Sequence, residues 1–435
     1  MNMRVSAHDR AREHLRIAAH EFERCMKCGK CRSVCPVFKE LENELFVARG
    51  KLKLARMVSD GDMKVTKRVR EALDECLICK TCTANCPSGV KAEEVVLRLR
   101  WYATTQTGLG LIRALIFRIV LWRRWPLTLG AKAMAISQRV LFGMGPKNPV
   151  RFLFPLFGVS RRRIFPQFAL RTVLGKYPER IPPKNGKPKM RVGYFVGCAA
   201  NYIYTNVGDS IISVLTHYGC EVVIPKAQKC NGTPVFANGD YDGAKRFMEH
   251  NLALFTGYDL DAIVVGCSSC GLSLKTEITN FIPENTVRDD FRKKVYDIHE
   301  FIEKFIKIDA KELSPLNVAV TYHDPCHMVR GQNITKEPRD ILKKIPGVRY
   351  IEMKDAAVCC GGAGSYSLTH YEHALAIDEH KRKNIAAANA DLVVTGCPIC
   401  VMHMQDNMAQ HHMKEGTAFV IELLAKSLKN KEKNP

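Results

Sequence analysis

Five cysteines fall between Asn317 and Cys400, in the segments NVAVTYHDPC, VCCGGAGS and LVVTGCPIC: Cys326, the adjacent pair Cys359 and Cys360, and Cys397 with Cys400. Each ends an apolar run or lies just past one, where a strand hands over to a loop. Neighbouring side chains of an extended chain point to opposite sides, so an adjacent Cys-Cys pair suits one zinc ion poorly. Gly361 and Gly362 follow and let the backbone fold tightly enough to turn both sulfurs toward one object. A multi-iron cluster matches that object better than a single ion. The same stretch occurs earlier in the chain. FVGC ends at Cys198, KCNGTP holds Cys230, and IVVGCSSC ends with Cys267 and Cys270. These four landmarks recur 128 to 130 residues later, which marks an internal duplication. One position breaks it: Asn231 stands where the second copy has Cys360.

A second set of cysteines lies near the N-terminus. Cys25, Cys28, Cys31 and Cys35-Pro36 are spaced C-x2-C-x2-C-x3-C-P, and Cys76, Cys79, Cys82 and Cys86-Pro87 repeat that spacing. This is the bacterial ferredoxin run for 4Fe–4S clusters, in which the fourth cysteine ligates the other cluster. Cys25, Cys28, Cys31 and Cys86 are therefore assigned to one cubane, and Cys76, Cys79, Cys82 and Cys35 to a second. Zinc sites instead join two CxxC pairs across a longer loop. Residues 41 to 75 read as helices broken at Ser59-Asp60-Gly61-Asp62, so the dicluster unit is expected to be α-helical.

The paired C…CCG…CxxC modules resemble the cysteine-rich CCG domains of the heterodisulfide reductase catalytic subunit. They also resemble the iron–sulfur subunits of glycolate oxidase, lactate-utilisation and anaerobic glycerol-3-phosphate dehydrogenase complexes. In the heterodisulfide reductase family five cysteines in this arrangement hold a noncubane 4Fe–4S cluster. The resemblance carries that role onto Cys326, Cys359, Cys360, Cys397 and Cys400. The first copy offers only Cys198, Cys230, Cys267 and Cys270, which would hold an ordinary 4Fe–4S cluster or leave a metal-free structural site. Heterodisulfide cleavage is associated with a pair of noncubane clusters, so Asn231 weighs against that chemistry. Arg49-Gly50-Lys51 resembles the arginine-glycine segment after the first quartet of the glycolate oxidase subunit; a helix break is the other reading. His323 and His327 flank Cys326 in YHDPCH and are expected to order the loop or support the ligands from outside. Cys220, outside every motif, reads as a buried packing residue.

The elements that must position these groups follow from periodicity. From Met190 strands and helices alternate: RVGYFVGC, a helix over TNVGDSIISVLTHYG, EVVIP, a helix over GDYDGAKRFMEHNLALFTG, and AIVVGC. VAVTYH, RDILKKI, RYIEM, a helix over 371–390 and LVVTGC repeat the series. Such alternation argues for parallel sheets, with ligands at the strand C-terminal ends where open α/β sheets place their sites. The expected class is therefore α plus α/β. It comprises an α-helical ferredoxin domain with two 4Fe–4S clusters over 1–105, a basic helical connector over 106–188, and tandem α/β CCG domains over 189–312 and 313–435. The two copies are expected to pack as pseudo-twofold lobes with their cysteines near the interface.

Composition bounds the rest. Of 18 cysteines most fall in CxxC pairs, which suits metal binding rather than a disulfide framework. The first 25 residues are charged throughout, with no apolar core of a secretory signal. The expected location is the reducing cytoplasm, with the cytoplasmic face of the membrane as an extension of that reading. Net charge is +22, and residues 101–190 hold 17 Lys and Arg against the single acid Glu179. Within them LGLIRALIFRIVLWRRW (109–125) is the most apolar stretch. Arg113 and Arg118 would each cost about 2.5–3.5 kcal/mol inside a bilayer, so it is not read as a transmembrane helix. It would pack on the chain's own domains, dock a partner subunit, or lie on an anionic membrane surface; Arg161, Arg162 and Arg163 extend the basic character. No nucleic-acid motif accompanies it.

No dinucleotide fingerprint or P-loop is present, so no flavin or nicotinamide is expected on this chain. One-electron sites without a hydride acceptor call for a flavoprotein partner. In overall order the chain resembles the glycolate oxidase iron–sulfur subunit. The resemblance implies an electron-transfer subunit of an FAD-dependent 2-hydroxyacid dehydrogenase, with a quinone, ferredoxin or disulfide as acceptor. The alternative is a heterodisulfide reductase-like catalyst that reduces a disulfide or quinone; a zinc-bound scaffold is the non-redox alternative. Catalytic residues are not assigned.

Overall fold

The computed structural model describes residues 6–142, 150–151, 160 and 162–433. Arg161, one of the three consecutive arginines, lies outside them.

The N-terminal region is helical. Helix α1 (Ala7–Ala19) starts at Ser6, whose hydroxyl accepts from the Asp9 amide at 3.1 Å and so satisfies one of the unpaired first-turn donors. It packs on α2 (Ala48–Asp60) and α3 (Ala92–Thr107) through Leu15, Ala55 and Leu99, all fully buried. Gly61, in the left-handed conformation, ends α2 at the expected break. Gly50 does not break it. A Cβ there would come within 2.0 Å of the Glu44 carbonyl, so glycine lets the helix press against the turn before it. The helix-break reading of Arg49-Gly50-Lys51 is therefore corrected.

Two sheets follow. Strands β1 (Arg180–Ile181), β2 (Met190–Phe195), β3 (Cys220–Val223), β4 (Ala262–Val265) and β5 (Val295–Asp297) form the first, in the order β1-β3-β2-β4-β5. All its pairs are parallel except the short edge strand β1. Strands β6 (Val318–Tyr322), β7 (Val348–Ile351), β8 (Leu392–Thr395) and β9 (Gly416–Phe419) form the second, wholly parallel, in the order β9-β8-β6-β7. With β1 set aside, the two orders are the same. The central strands β2, β4, β6 and β8 are largely buried and rich in Val, Ile and Tyr, as sheets covered by helices on both faces require, while the edge strands β1, β7 and β9 are mostly half-buried.

The lobes share a core in which Val192, Tyr194 and Ile211 of the first join Tyr322, Val394 and Leu424 of the second. The N-terminal helices share another with the first lobe, where Trp101 stacks on Tyr241 at 3.9 Å. Cys220 opens β3 and is buried among apolar neighbours, with no other cysteine near it in that core.

The basic middle divides its two faces. Trp122 packs edge-on to Phe247 and lies beneath the Arg246 guanidinium at 3.6 Å. Arg124 donates to the Lys226 and Gln228 carbonyls, at 2.9 and 2.7 Å. This face sits on the chain's own first lobe. The other leaves Leu111, Ile112, Leu115, Ile119, Trp125, Leu129 and Val140 exposed. Among the described residues no single helix is long and apolar enough to cross a membrane; α3 and the helix after it pass that test only as a pair bent by 110°.

Candidate metal centre

Each N-terminal triplet loop curls through left-handed residues at matching places: Lys27 and Gly29 in the first, Ile78 and Lys80 in the second. Side chains other than glycine adopt this conformation at a cost of about 1–2 kcal/mol, so the Ile78 and Lys80 turns are strain held by their surroundings. The curled loops bring the quartets together with their fourth members exchanged. One cavity is lined by Cys25, Cys28, Cys31, Cys82 and Cys86. The other is lined by Cys35, Cys76, Cys79 and Cys82. Arg49 lines the first and Lys51 the second, so the segment between them offers a cation to each. Burial pushes the Cys35 thiol up to about 11, an opposition that a bound cation would remove. With Cys82 shared between the two linings, eight thiols converge on the two pockets, which fits a pair of iron–sulfur clusters in donor number and type.

In each lobe two cysteines sit at a topological switch point. The chain crosses from β2 to β3 on one side and returns past it to β4, so the crevice opens between the ends of β2 and β4. Cys198 follows β2 and Cys267 follows β4; in the second lobe Cys326 follows β6 and Cys397 follows β8. Cys267 and Cys397 each cap a helix, Ser268–Lys275 and Pro398–Gln410, that carries Cys270 or Cys400 in its first turn. Thiolates are favoured at such helix N-termini.

The remaining cysteines of the two modules arrive from the loops after β3 and β7. Cys230 lies close enough to Cys198 and Cys270 for their charges to act on it, and burial raises its pKa well above the usual thiol value. Cys359 contacts Cys326, and Cys360 contacts Cys400. Donor atoms of His323, Cys360 and Cys400 lie within 4.8 Å of one another. The first-lobe and second-lobe groups touch: Cys397 is held well below the usual thiol value by hydrogen bonds with Cys267 and Cys400 and by Ser268. The Asn231 amide, by contrast, is spent within the protein, donating to Thr233 Oγ1 at 2.7 Å and to the Ser269 carbonyl at 3.2 Å. Its oxygen faces the Cys230 sulfur at 3.5 Å.

Other groups at this seam were not legible in the motifs. Arg100 is buried and reaches the Leu73, Cys76 and Ala237 carbonyls, fastening the second quartet to the first lobe. Glu75, beside Cys76, accepts from Tyr366 at 2.9 Å and faces His373 at 3.0 Å, fastening it to the second. His327 orders the seam as expected, with Ser269 Oγ at 3.0 Å on Nδ1 and the Ile78 carbonyl at 3.2 Å on Nε2. His323 differs. It is 1% exposed, neither ring nitrogen makes a hydrogen bond of ordinary geometry among the described residues, and burial holds its pKa well below the usual histidine value.

Comparison with known proteins follows these divisions. Residues 21–90 match the 4Fe-4S dicluster domain, and residues 192–275 and 320–405 each match the cysteine-rich CCG domain. The chain belongs to the CCG-domain iron–sulfur oxidoreductase family. A fumarate reductase (CoM/CoB) subunit of Methanothermobacter marburgensis is 29% identical, over 92% of this chain and 71% of that protein. The probable glycolate oxidase iron-sulfur subunit of Bacillus subtilis is 28% identical, over 88% of each chain. A dihydromethanophenazine:CoB–CoM heterodisulfide reductase subunit of Methanosarcina acetivorans is 24% identical, over 94% of each. A crystal structure of a hypothetical protein from Helicobacter pylori superposes with a TM-score of 0.52 at 12% identity, covering 92% of this chain and 71% of that one. That last likeness concerns the fold alone.

Proposed function

We propose that this chain is the iron–sulfur electron-transfer subunit of a flavin-dependent 2-hydroxyacid dehydrogenase of the glycolate or lactate type. The observation that carries the reading is the series of thiol pairs across the seam. It passes from the second quartet through Cys79 to Cys359, and across the lobes through Cys397 to Cys267. The match with the probable glycolate oxidase iron-sulfur subunit, over 88% of each chain, supports it.

When bound, the clusters supply one-electron sites that a hydride-accepting flavin can feed. Cys25, Cys28, Cys31 and Cys86 would hold one 4Fe–4S cluster, and Cys35, Cys76, Cys79 and Cys82 a second. Cys326, Cys359, Cys360, Cys397 and Cys400 would hold a noncubane cluster; Cys198, Cys230, Cys267 and Cys270 would hold at most an ordinary one. Arg100 and Glu75 fix the second quartet against both lobes. The engaged Asn231 amide favours this relay reading over disulfide reduction between two five-cysteine sites. The apolar, acid-poor face of residues 111–140 is assigned to peripheral contact with an anionic membrane surface, where a quinone acceptor would be met.

Anaerobic affinity purification of the tagged chain from its own cells tests the proposal. A flavin-bearing partner should copurify, and glycolate or lactate should bleach the iron–sulfur absorbance of the complex. A chain that purifies without flavin and reduces disulfides by itself would overturn it.

A further inference from the structure

The two lobes repeat beyond their cysteines. A Cβ on Gly232 would meet the Ala244 carbonyl and Phe247, and one on Gly361 would meet the Ala374 carbonyl and Ile377, the residues 130 positions later. The helices that follow, Tyr241–Thr256 and Tyr371–Ala388, therefore correspond turn for turn. By that register Lys381 of the second lobe occupies the place of Asn251 in the first.

Both side chains are fully buried, at 0% exposure. Asn251 is satisfied by neutral partners: its amide donates to the Cys230 carbonyl at 2.9 Å and its oxygen accepts from the Lys229 amide at 2.9 Å. Lys381 meets the Asp355 and Ala356 carbonyls at 2.7 and 3.0 Å and the Met353 sulfur at 3.7 Å. No carboxylate among the described residues forms an ion pair with it. The carboxylate one turn earlier, Asp378, is engaged instead by the Asn407 amide at 3.0 Å. A buried ammonium without a counter-ion is costly, and buried charges persist where they are paired. Its carbonyl partners belong to the loop that delivers Cys359 and Cys360. Burial draws the Lys381 pKa down, and Cys360 is the foremost of the groups that oppose this, ahead of Asp378 and Asp324.

The lobes thus differ by a matched pair: a thiol and an ammonium in the second, two neutral amides in the first. We infer that Lys381 is the counter-charge of the Cys360 thiolate, a positioning residue that stabilises the anionic five-cysteine centre and raises its reduction potential relative to a site without the lysine. This rests on the reading of those five cysteines as iron–sulfur ligands. A nearby positive charge favours the more negative, reduced state, so the second lobe becomes the electron-attracting end of the seam.

The test uses the full chain, loaded with iron and sulfide under anaerobic conditions, with potentials followed by electron paramagnetic resonance. Lys381→Met should shift the second-lobe reduction equilibrium tenfold or more toward the oxidised form, about 59 mV for a one-electron couple. The signals of the N-terminal clusters should not move, and Lys381→Arg should stay near the unmodified chain. An unchanged second-lobe potential, or a shift shared by every centre, would overturn the inference alone. Absence of a second-lobe signal in the unmodified chain would overturn the ligand reading and the inference with it. Should Lys381→Met fail to assemble, iron content decides. The double variant Cys360→Asn with Lys381→Asn, which copies the first lobe, should retain more iron than Lys381→Asn alone. Equal or lower retention would exclude the pairing.

Discussion

The Cys79 thiol lies against the Cys359 thiol, and the contact pushes the Cys79 pKa well above the usual thiol value. One belongs to the N-terminal quartets, the other to the second lobe, 280 positions later in the chain. Val37, Leu77, Tyr366, Ala374 and Ile377 close around this contact as a small apolar core. A cluster on either side would be separated from its neighbour by ligands alone, in surroundings that exclude water. Short distance and low dielectric are what fast electron exchange needs, and the fold supplies both at a junction that no local motif announces.

The N-terminal region is expected to depend on metal for its fold. Eight cysteines line its two cavities, and ligand binding by such sites is folding free energy. Replacing Cys28 with serine should remove about 4 irons per chain, the content of one cubane, and lower soluble yield together. Full iron content with unchanged melting would count against the assignment.

Trp101 should be the main fastening between the N-terminal helices and the first lobe. It is 2% exposed, stacks on Tyr241, and lies at 5.1 Å from the His14 ring. Truncation of a buried tryptophan costs about 3–5 kcal/mol. Trp101→Ala is therefore expected to lower the melting temperature clearly and to separate N-terminal unfolding from that of the lobes. A calorimetric trace that keeps its shape and midpoint would refute this role.

Glu277 predicts a pH dependence of stability. Burial raises its pKa to about 7, opposed by Lys80 and reinforced by Glu93 and Glu94. The folded state then holds a proton that the unfolded state has released. The penalty is absent at low pH and builds as pH rises from the ordinary glutamate value to about 7, reaching an upper bound of roughly 3 kcal/mol. Glu277→Gln should accordingly stabilise the protein above neutrality and change little in mild acid. Denaturation midpoints that move equally at both pH values would contradict the burial argument.

The sequence revealed what covalent spacing or apolar periodicity alone determines. The two cysteine quartets, the strand–helix order and the repeat were all readable, because each is a local pattern. Strands β1, β5 and β9 were not, being two to four residues long and without alternation of their own. Packing on the chain's own domains was one of three readings of the segment holding Trp122 and Arg124, but the first lobe was not legible as the place, since Arg246 and the Gln228 carbonyl lie over 100 positions away in sequence. Lys381 was hidden by its type. A lysine in a helix rich in His, Lys and Arg reads as solvent-facing, and only comparison with Asn251 through the 130-residue register marks it.

The exposed face of residues 111–140 should bind anionic vesicles in a manner that salt weakens. Leu111 is 92% exposed and Val140 76%, and between them Leu115, Ile119, Trp125 and Leu129 are also open to solvent. Arg123 and Lys132 are exposed on the same stretch, and Glu179 is the first acid after it. Apolar side chains with basic residues beside them suit the headgroup boundary, and each cation near such a surface contributes about 1 kcal/mol. Screening shortens the reach of that attraction, so added salt should release the chain without detergent. Vesicles containing phosphatidylglycerol should therefore sediment the loaded protein, while phosphatidylcholine vesicles should not. Leu111→Glu with Leu115→Glu should cut binding at least tenfold, yet leave iron content and melting unchanged, because neither side chain belongs to a core. Binding that ignores both lipid charge and salt would contradict the electrostatic reading, and no binding to either kind of vesicle would mean that the face serves a protein partner instead.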